Sequence, residues 1–190
     1  MNGMTVPDVC LKTRVRDESV DGPNPFRWQD VQTGDLFATG RHVVFSLPGA
    51  FTPTCSSKQL PGFEALYAEF EAAGVDAIHC ISVNDAFVMY NWGKSQGVEK
   101  VDLLPDGSGA FTRRMGMLIN KDHLGFGMRS WRYAMVIDDG KIVQMFVEPG
   151  CNDCGEDADP YGETAPEPIL AWVQTNPRAH AGAERELADA

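Results

Sequence analysis

Nowhere in the 190 residues is there a run of about eighteen apolar side chains, the length that a membrane-spanning helix requires. The amino terminus, Met1-Asn-Gly-Met-Thr-Val-Pro, has neither the basic flank nor the apolar stretch of a secretory signal. A soluble chain that stays in the cytoplasm is the expectation. Positive charge is scarce: 16 Lys and Arg stand against 27 Asp and Glu, a formal net charge of -11. Such a surface repels phosphate-rich partners, which argues against nucleic acid and membrane binding and leaves small neutral substrates unaffected. Cysteine is sparse and odd in number. Cys10, Cys55, Cys80, Cys151 and Cys154 lack the spacing of a secreted disulfide framework, so catalytic or redox use becomes the question. Internal repeats, linkers and low-complexity tracts are missing too. The length suits one domain, and 43% hydrophobic with 23% charged residues is a globular balance. Residues 1–176 are assigned to that domain and 177–190 to a frayed tail.

What is present is a regular succession of apolar patterns. The first forty residues, with Val9 to Val15 and Trp28 to Val31, read as one or two edge strands and loops. Arg41-His-Val-Val-Phe-Ser-Leu47 is dense in β-formers and ends at Pro48-Gly49, as a buried strand would. Leu60, Phe63, Leu66, Tyr67 and Phe70 recur at helical steps until Gly74, with Pro61 expected to kink that helix or split off its first turn. Val75 to Val83 is apolar enough for a buried parallel strand. Asn84 is placed to cap a helix carrying Phe87, Val88, Asn91 and Trp92 and ending near Gly97. A short strand, Val101 to Leu104, and a helical segment through Phe111 and Met115 follow. Trp131 to Ile137 and Lys141 to Val147 flank Asp138-Asp-Gly140, a strong hairpin signal, and a last helix carries Ile169, Leu170, Trp172 and Val173. This order describes an α/β domain of thioredoxin-like fold, with a mixed central sheet and helices on both faces.

Cys55 sits between a buried strand and an amphipathic helix, after Pro-Gly and Thr-Pro-Thr, so it belongs in the helix's first turn. Free backbone N–H groups and the positive dipole end favour a thiolate there, and Lys58 adds positive charge if it points the same way. Thr52 offers a hydroxyl to the sulfur or to a bound oxygen. Pro48 and Pro53 restrict the loop and have no N–H to satisfy. A thiolate attacking an O–O bond also needs positive charge for the departing oxygen, and an arginine from a distant strand would supply it. A lone cysteine at a helix start is more often a packed residue than a nucleophile; the combination Pro-x-x-x-Thr-x-x-Cys between strand and helix shifts that balance.

Pro48-Gly-Ala-Phe-Thr-Pro-Thr-Cys-Ser56 resembles the peroxidatic signature of peroxiredoxins, in particular the type-II, peroxiredoxin-5-like branch that contains glutathione- or glutaredoxin-dependent enzymes. Ile81 to Val88, Trp92-Gly-Lys, Leu104-Pro-Asp-Gly-Ser, Phe111-Thr and Gly127 to Val136 match in order, over roughly residues 9 to 150. The resemblance implies that Cys55 attacks hydrogen peroxide or an alkyl hydroperoxide and becomes a sulfenic acid. It implies that Thr52 bonds thiolate and substrate, that Pro48 shields the sulfenate, and that Arg132 stabilises thiolate and leaving group. Arg129 is a weaker candidate, equally readable as structural. Glutathione, with or without glutaredoxin, is the implied reductant, with glutaredoxin as a separate partner because the chain has no room for it downstream. Phe111 to Met117 resembles the region through which the family pairs head to head, implying a homodimer. No cofactor or metal is implied.

Two other readings stay open. Cys151 or Cys154 could act as the resolving thiol of a thioredoxin-dependent peroxidase. Asp153, Glu156, Asp157 and Asp159 crowd both with negative charge, yet attack on a sulfenic acid needs proximity more than a low pKa. Incidental exposed thiols rank ahead of that role, and zinc far behind, for want of two more ligands. Alternatively, the site could be a peroxide sensor that relays oxidation to a partner protein. Cys80, His42 and His79 fall within strand runs and read as core residues.

Overall fold

In the computed structural model, which describes residues 3–156 and 158–178, the chain opens with an antiparallel pair, β1 (Cys10–Arg16) and β2 (Phe26–Gln32), in a sheet of their own. A single helical turn, α1 (Thr33–Leu36), leads to β3 (Arg41–Leu47), in which every residue is buried. The next helical region is interrupted twice. It starts with a π-helical turn at Cys55–Gln59, continues as α2 (Leu60–Ala65), breaks at Leu66 and resumes as α3 (Tyr67–Ala72). Pro61 thus follows directly on the π-helical turn, whose wider winding sets the first part of the helix apart from α2 at the residue that has no N–H to donate.

β4 (Ala77–Ser82) and α4 (Ala86–Gln96) follow, and Gly97 ends α4 in the left-handed conformation. The cap of α4 is Asp85, whose carboxylate accepts from the N–H groups of Phe87 and Val88, not Asn84. Asn84 is taken by other donors: its side-chain oxygen accepts from Ala50 N–H at 2.9 Å and from the Ser82 hydroxyl at 2.8 Å. β5 (Asp102–Pro105), α5 (Ala110–Arg114) and β6 (Leu118–Asn120) come next, then a 3-10 turn at Asp122–Leu124 and β7 (Met128–Ser130). The β6–β7 hairpin has no counterpart in the sequence reading, because three-residue strands are too short to show alternation. β8 (Tyr133–Asp138) and β9 (Lys141–Val147) form the expected hairpin. Asp139 and Gly140 both take positive φ, +48° and +77°, as a two-residue turn between twisted strands requires. α6 (Pro166–Thr175) closes the fold.

The five-stranded sheet has the order β5-β4-β3-β8-β9, with β3 parallel to β4 and antiparallel to β8. Alternate residues of β3 feed two cores. Val43, Phe45 and Leu47 pack with Phe63, Phe70, Trp92 and Ile169, while Val44 packs on the other face with Phe37, Phe111 and Trp131. The mixed sheet covered on both faces is thioredoxin-like. Arg178, placed by the sequence in a frayed tail, binds Asp139 and lies 3.9 Å from Asp76; residues 179–190 of that tail are outside the described residues.

Candidate active site

Sheet register determines what meets at the carboxyl end of β3. Ser46 pairs with Tyr133, and Tyr133 with Val147, so the residues just beyond these pairs, Pro48, Arg132 and Glu148, converge where β3 gives way to the loop. The loop is held by short bonds. Asn84 at the end of β4 grips the Ala50 N–H, and the Thr52 hydroxyl donates to the Gly49 carbonyl at 2.7 Å. Pro48 and Gly49 are buried, whereas Phe51 is exposed and sits at φ +63°.

The π-helical turn then sets the side chains. Leu60 N–H donates to the Cys55 carbonyl, five residues back. Within that turn Cys55 and Gln59 are buried, and Lys58, expected to lend charge, is exposed. Arg132, 2% exposed, reaches both buried groups through one nitrogen: Nη1 lies 3.5 Å from Cys55 Sγ and 2.5 Å from Gln59 Oε1. Its Nε donates to the Pro160 carbonyl at 3.1 Å, its Nη2 pairs with Asp159, and the Tyr161 ring lies 5.7 Å away. Burial works against the guanidinium's charge, but Cys55 and Asp159 outweigh it and raise the arginine further above its ordinary value. The same burial raises Tyr161 to about 12, so its ring stays a neutral cover.

The segment after β9 is anchored as carefully. Glu148, 3% exposed, accepts from Gly162 N–H, Thr164 N–H and the Thr164 hydroxyl, each at 2.8 Å. Gln59 also donates to Thr164, at 3.5 Å to its carbonyl and 3.4 Å to its hydroxyl. On the opposite side, Trp92 Nε1–H donates to Ser56 at 3.0 Å, tying α4 to the turn that holds Cys55.

The sequence candidates therefore divide. Cys55 and Arg132 are in contact and Pro48 is buried beside them in the register. Thr52 is part of the loop, but its hydroxyl proton lies on Gly49 rather than on the sulfur, because the tight turn brings that carbonyl closer. Arg129 donates to the Val83 carbonyl, away from this cluster, in keeping with its structural reading. Cys151 and Cys154 are exposed and unbonded to Cys55. The Cys151 thiol is raised chiefly by partial burial; Lys121 opposes the shift and Asp153 adds to it, so the acidic residues are not its main cause. Cys80 is buried and its thiol raised well above the ordinary value by desolvation. His42 and His79 bond each other at 3.0 Å at the start of β3, at the far end of the strand from Cys55. Among the described residues no cluster of His, Cys, Asp or Glu fits a metal ion.

Gln59, Asp159 and Tyr161 were not foreseen. Gln59 was legible in principle, lying four residues from Cys55 on a helical segment. Asp159 was hidden in an acidic run that reads as solvated surface.

The chain is similar to known proteins over most of its length. Residues 3–159 match the Redoxin family. The chain is 58% identical over 177 residues to peroxiredoxin y4vD of Sinorhizobium fredii, covering 93% of this chain and 94% of that one. It is 43% identical to the hybrid peroxiredoxin hyPrx5 of Haemophilus influenzae, covering 91% of this chain and 66% of that protein. The crystal structure of the Plasmodium falciparum antioxidant protein, a 1-Cys peroxiredoxin, superposes with a TM-score of 0.84 at 32% identity, covering 92% of this chain and all of that one.

Proposed function

Because the chain belongs to the Redoxin family, as a type-II, peroxiredoxin-5-like thiol peroxidase, we propose that Cys55 carries the peroxidase reaction and that glutathione, with or without glutaredoxin, restores it. The observation that carries the site is the buried contact between Cys55 Sγ and Arg132 Nη1. In the proposed reaction the Cys55 thiolate attacks one peroxide oxygen and the O–O bond breaks. The peroxide's own proton passes to the departing oxygen, which leaves as water or alcohol, and Cys55 is left as a sulfenate that becomes the sulfenic acid on taking a proton from solvent. Arg132 supplies fixed positive charge to both thiolate and leaving oxygen in a site shielded from water. Thr52 contributes by turning its hydroxyl from Gly49 toward the bound peroxide, and Pro48 closes the pocket over the sulfenate. Hydrogen peroxide and alkyl hydroperoxides are the proposed substrates, and a homodimer the proposed assembly.

Glutathione is favoured as reductant by the blocks of sequence shared with that branch. A second reading has one specific observation in its favour. The segment bearing both cysteines turns back to the site, where Asp159 and Pro160 bind Arg132. A thioredoxin-dependent cycle resolved by Cys151 or Cys154 would use that proximity.

One peroxide-consumption assay run in parallel with glutathione plus glutaredoxin and with thioredoxin separates the two. The first reading expects turnover with glutathione that disappears in Cys55→Ser and survives Cys151→Ser/Cys154→Ser. Mass spectrometry after one equivalent of peroxide should show a Cys55 sulfenic acid that accepts glutathione. An internal disulfide to Cys55 would establish the second reading instead. Activity surviving Cys55→Ser would overturn both, and slow turnover with every reductant would point to a sensor.

A further inference from the structure

Away from Cys55, between β1 and the side of α4 that carries Met89, Gly93 and Lys94, lies a cavity of about 410 Å³. That is within the roughly 300–1,000 Å³ of small-molecule sites. Its walls are aliphatic, with Met89 from α4, Leu103 from β5, and Val98 and Val101 from the connection between them. Gly93 makes the close approach possible, since a Cβ there would stand 2.5 Å from Leu103 Cδ1.

Two cations, Arg14 and Lys94, line the same cavity. The neighbouring cations of the β1–β2 pair are each neutralised: Lys12 by Asp30, Arg16 by Glu18 and Arg27 by Asp17. Arg14 and Lys94 have no carboxylate partner among the described residues. Arg14 instead lies over the Phe87 ring at 4.1 Å and bonds the neutral Asn24 side chain at 3.3 Å, contacts that leave its charge intact. Two cations without a carboxylate partner thus line one largely apolar cavity in a chain of net charge -11.

We propose that this cavity binds a small amphipathic carboxylate of the medium-chain fatty acid type. The carboxylate lies between Arg14 and Lys94, and the alkyl chain lies along Met89, Val98, Val101 and Leu103. Each half of the ligand answers a different half of the site: the chain covers the part of the wall that half-buried Val98 and Leu103 leave open to water, and the head group supplies the missing counter-charge.

Calorimetric titration of the full chain with sodium octanoate tests this, with 1-octanol as the neutral counterpart. Saturable binding of one octanoate per chain is expected, with octanol weaker. Lys94→Gln and Arg14→Gln should each weaken octanoate roughly two- to fivefold, the upper part of what a partly exposed ion pair contributes. Lys94 is exposed, so its substitution tests the head-group contact without disturbing packing. No saturation, octanol binding as tightly as octanoate, or an affinity that either substitution leaves unmoved overturns the proposal. Peroxide reduction does not enter the readout, so the site stands or falls independently of Cys55.

Discussion

The guanidinium of Arg132 is buried with four of its five N–H bonds directed at named acceptors, and that arrangement fixes what its loss should do. Two N–H bonds on one nitrogen serve Cys55 and Gln59, while Pro160 and Asp159 hold the rest of the fork. The charge is therefore aimed before any peroxide arrives, the condition under which it lowers a barrier most. Arg132→Met should slow oxidation of Cys55 by hydrogen peroxide about 10²- to 10³-fold in stopped-flow measurements. Arg132→Lys should recover only part, since one ammonium cannot keep the planar fork. A rate within a few-fold of the parent would remove Arg132 from the mechanism. Phe51 presents a different residue-scale effect. Its ring is 57% exposed, so it gains little from packing, yet its backbone is left-handed at φ +63°. That conformation costs a bulky residue about 1–2 kcal/mol, and asparagine tolerates it better. Phe51→Asn should raise the urea midpoint; an unchanged or lower midpoint would show that the ring has a partner worth the strain.

At the level of elements, Glu148 joins the end of β9 to the segment that covers the site. Burial alone would raise its carboxyl, but the N–H groups of Gly162 and Thr164 and the Thr164 hydroxyl outweigh that and hold it below the usual 4.5. A carboxyl depressed on folding contributes stability that is whole above its unfolded value and is lost as pH falls through the folded one. Urea denaturation should therefore show the parent losing more stability than Glu148→Gln on going from about pH 6 to about pH 3. Glu148→Ala, which removes the acceptor altogether, should cost about 1–3 kcal/mol at neutral pH. Equal acid sensitivity in parent and Glu148→Gln would contradict this assignment. Glu148 also marks the limit of sequence reading. β3, β4, the Asp139-Gly140 hairpin and the placement of Cys55 were legible because apolar period, length and turn residues all act locally. The meeting of Arg132 with Cys55 depends on β3 pairing antiparallel with β8, a register that no local pattern states; it was reached through family resemblance. The capture of Arg132 by Asp159 rests on the loop anchored by Glu148, and within the sequence Asp159 looks like solvated surface. Asn84 and Asp85 show the same limit at one-residue resolution: either could cap α4, and the need of Ala50 N–H for an acceptor decides between them.

For the molecule as a whole, the question is what remains for a second copy to bind. The segment from Phe111 to Met117 was assigned to pairing on its resemblance to the region through which the family pairs, and its Phe111, Met115 and Met117 are buried in the protomer's own core beside Val44, Ile119 and Trp131. Arg113, Arg114 and Gly116 are the exposed members of that stretch. The apolar pattern thus reports internal packing, and any pairing through this region must use its polar side. The two roles separate by experiment. Met115→Ala should destabilise the protomer by roughly 2–5 kcal/mol, as deletion of a large core side chain does. At temperatures where the variant stays folded, its association constant should match the parent's, because the lost methylenes face inward. The proposed homodimer requires a sedimentation-equilibrium mass near twice 20.8 kDa for the parent. If Met115→Ala remained folded and as stable as the parent but sedimented as a monomer, the side chain would belong to the interface after all, and the single-chain packing of α5 would have to open in the dimer.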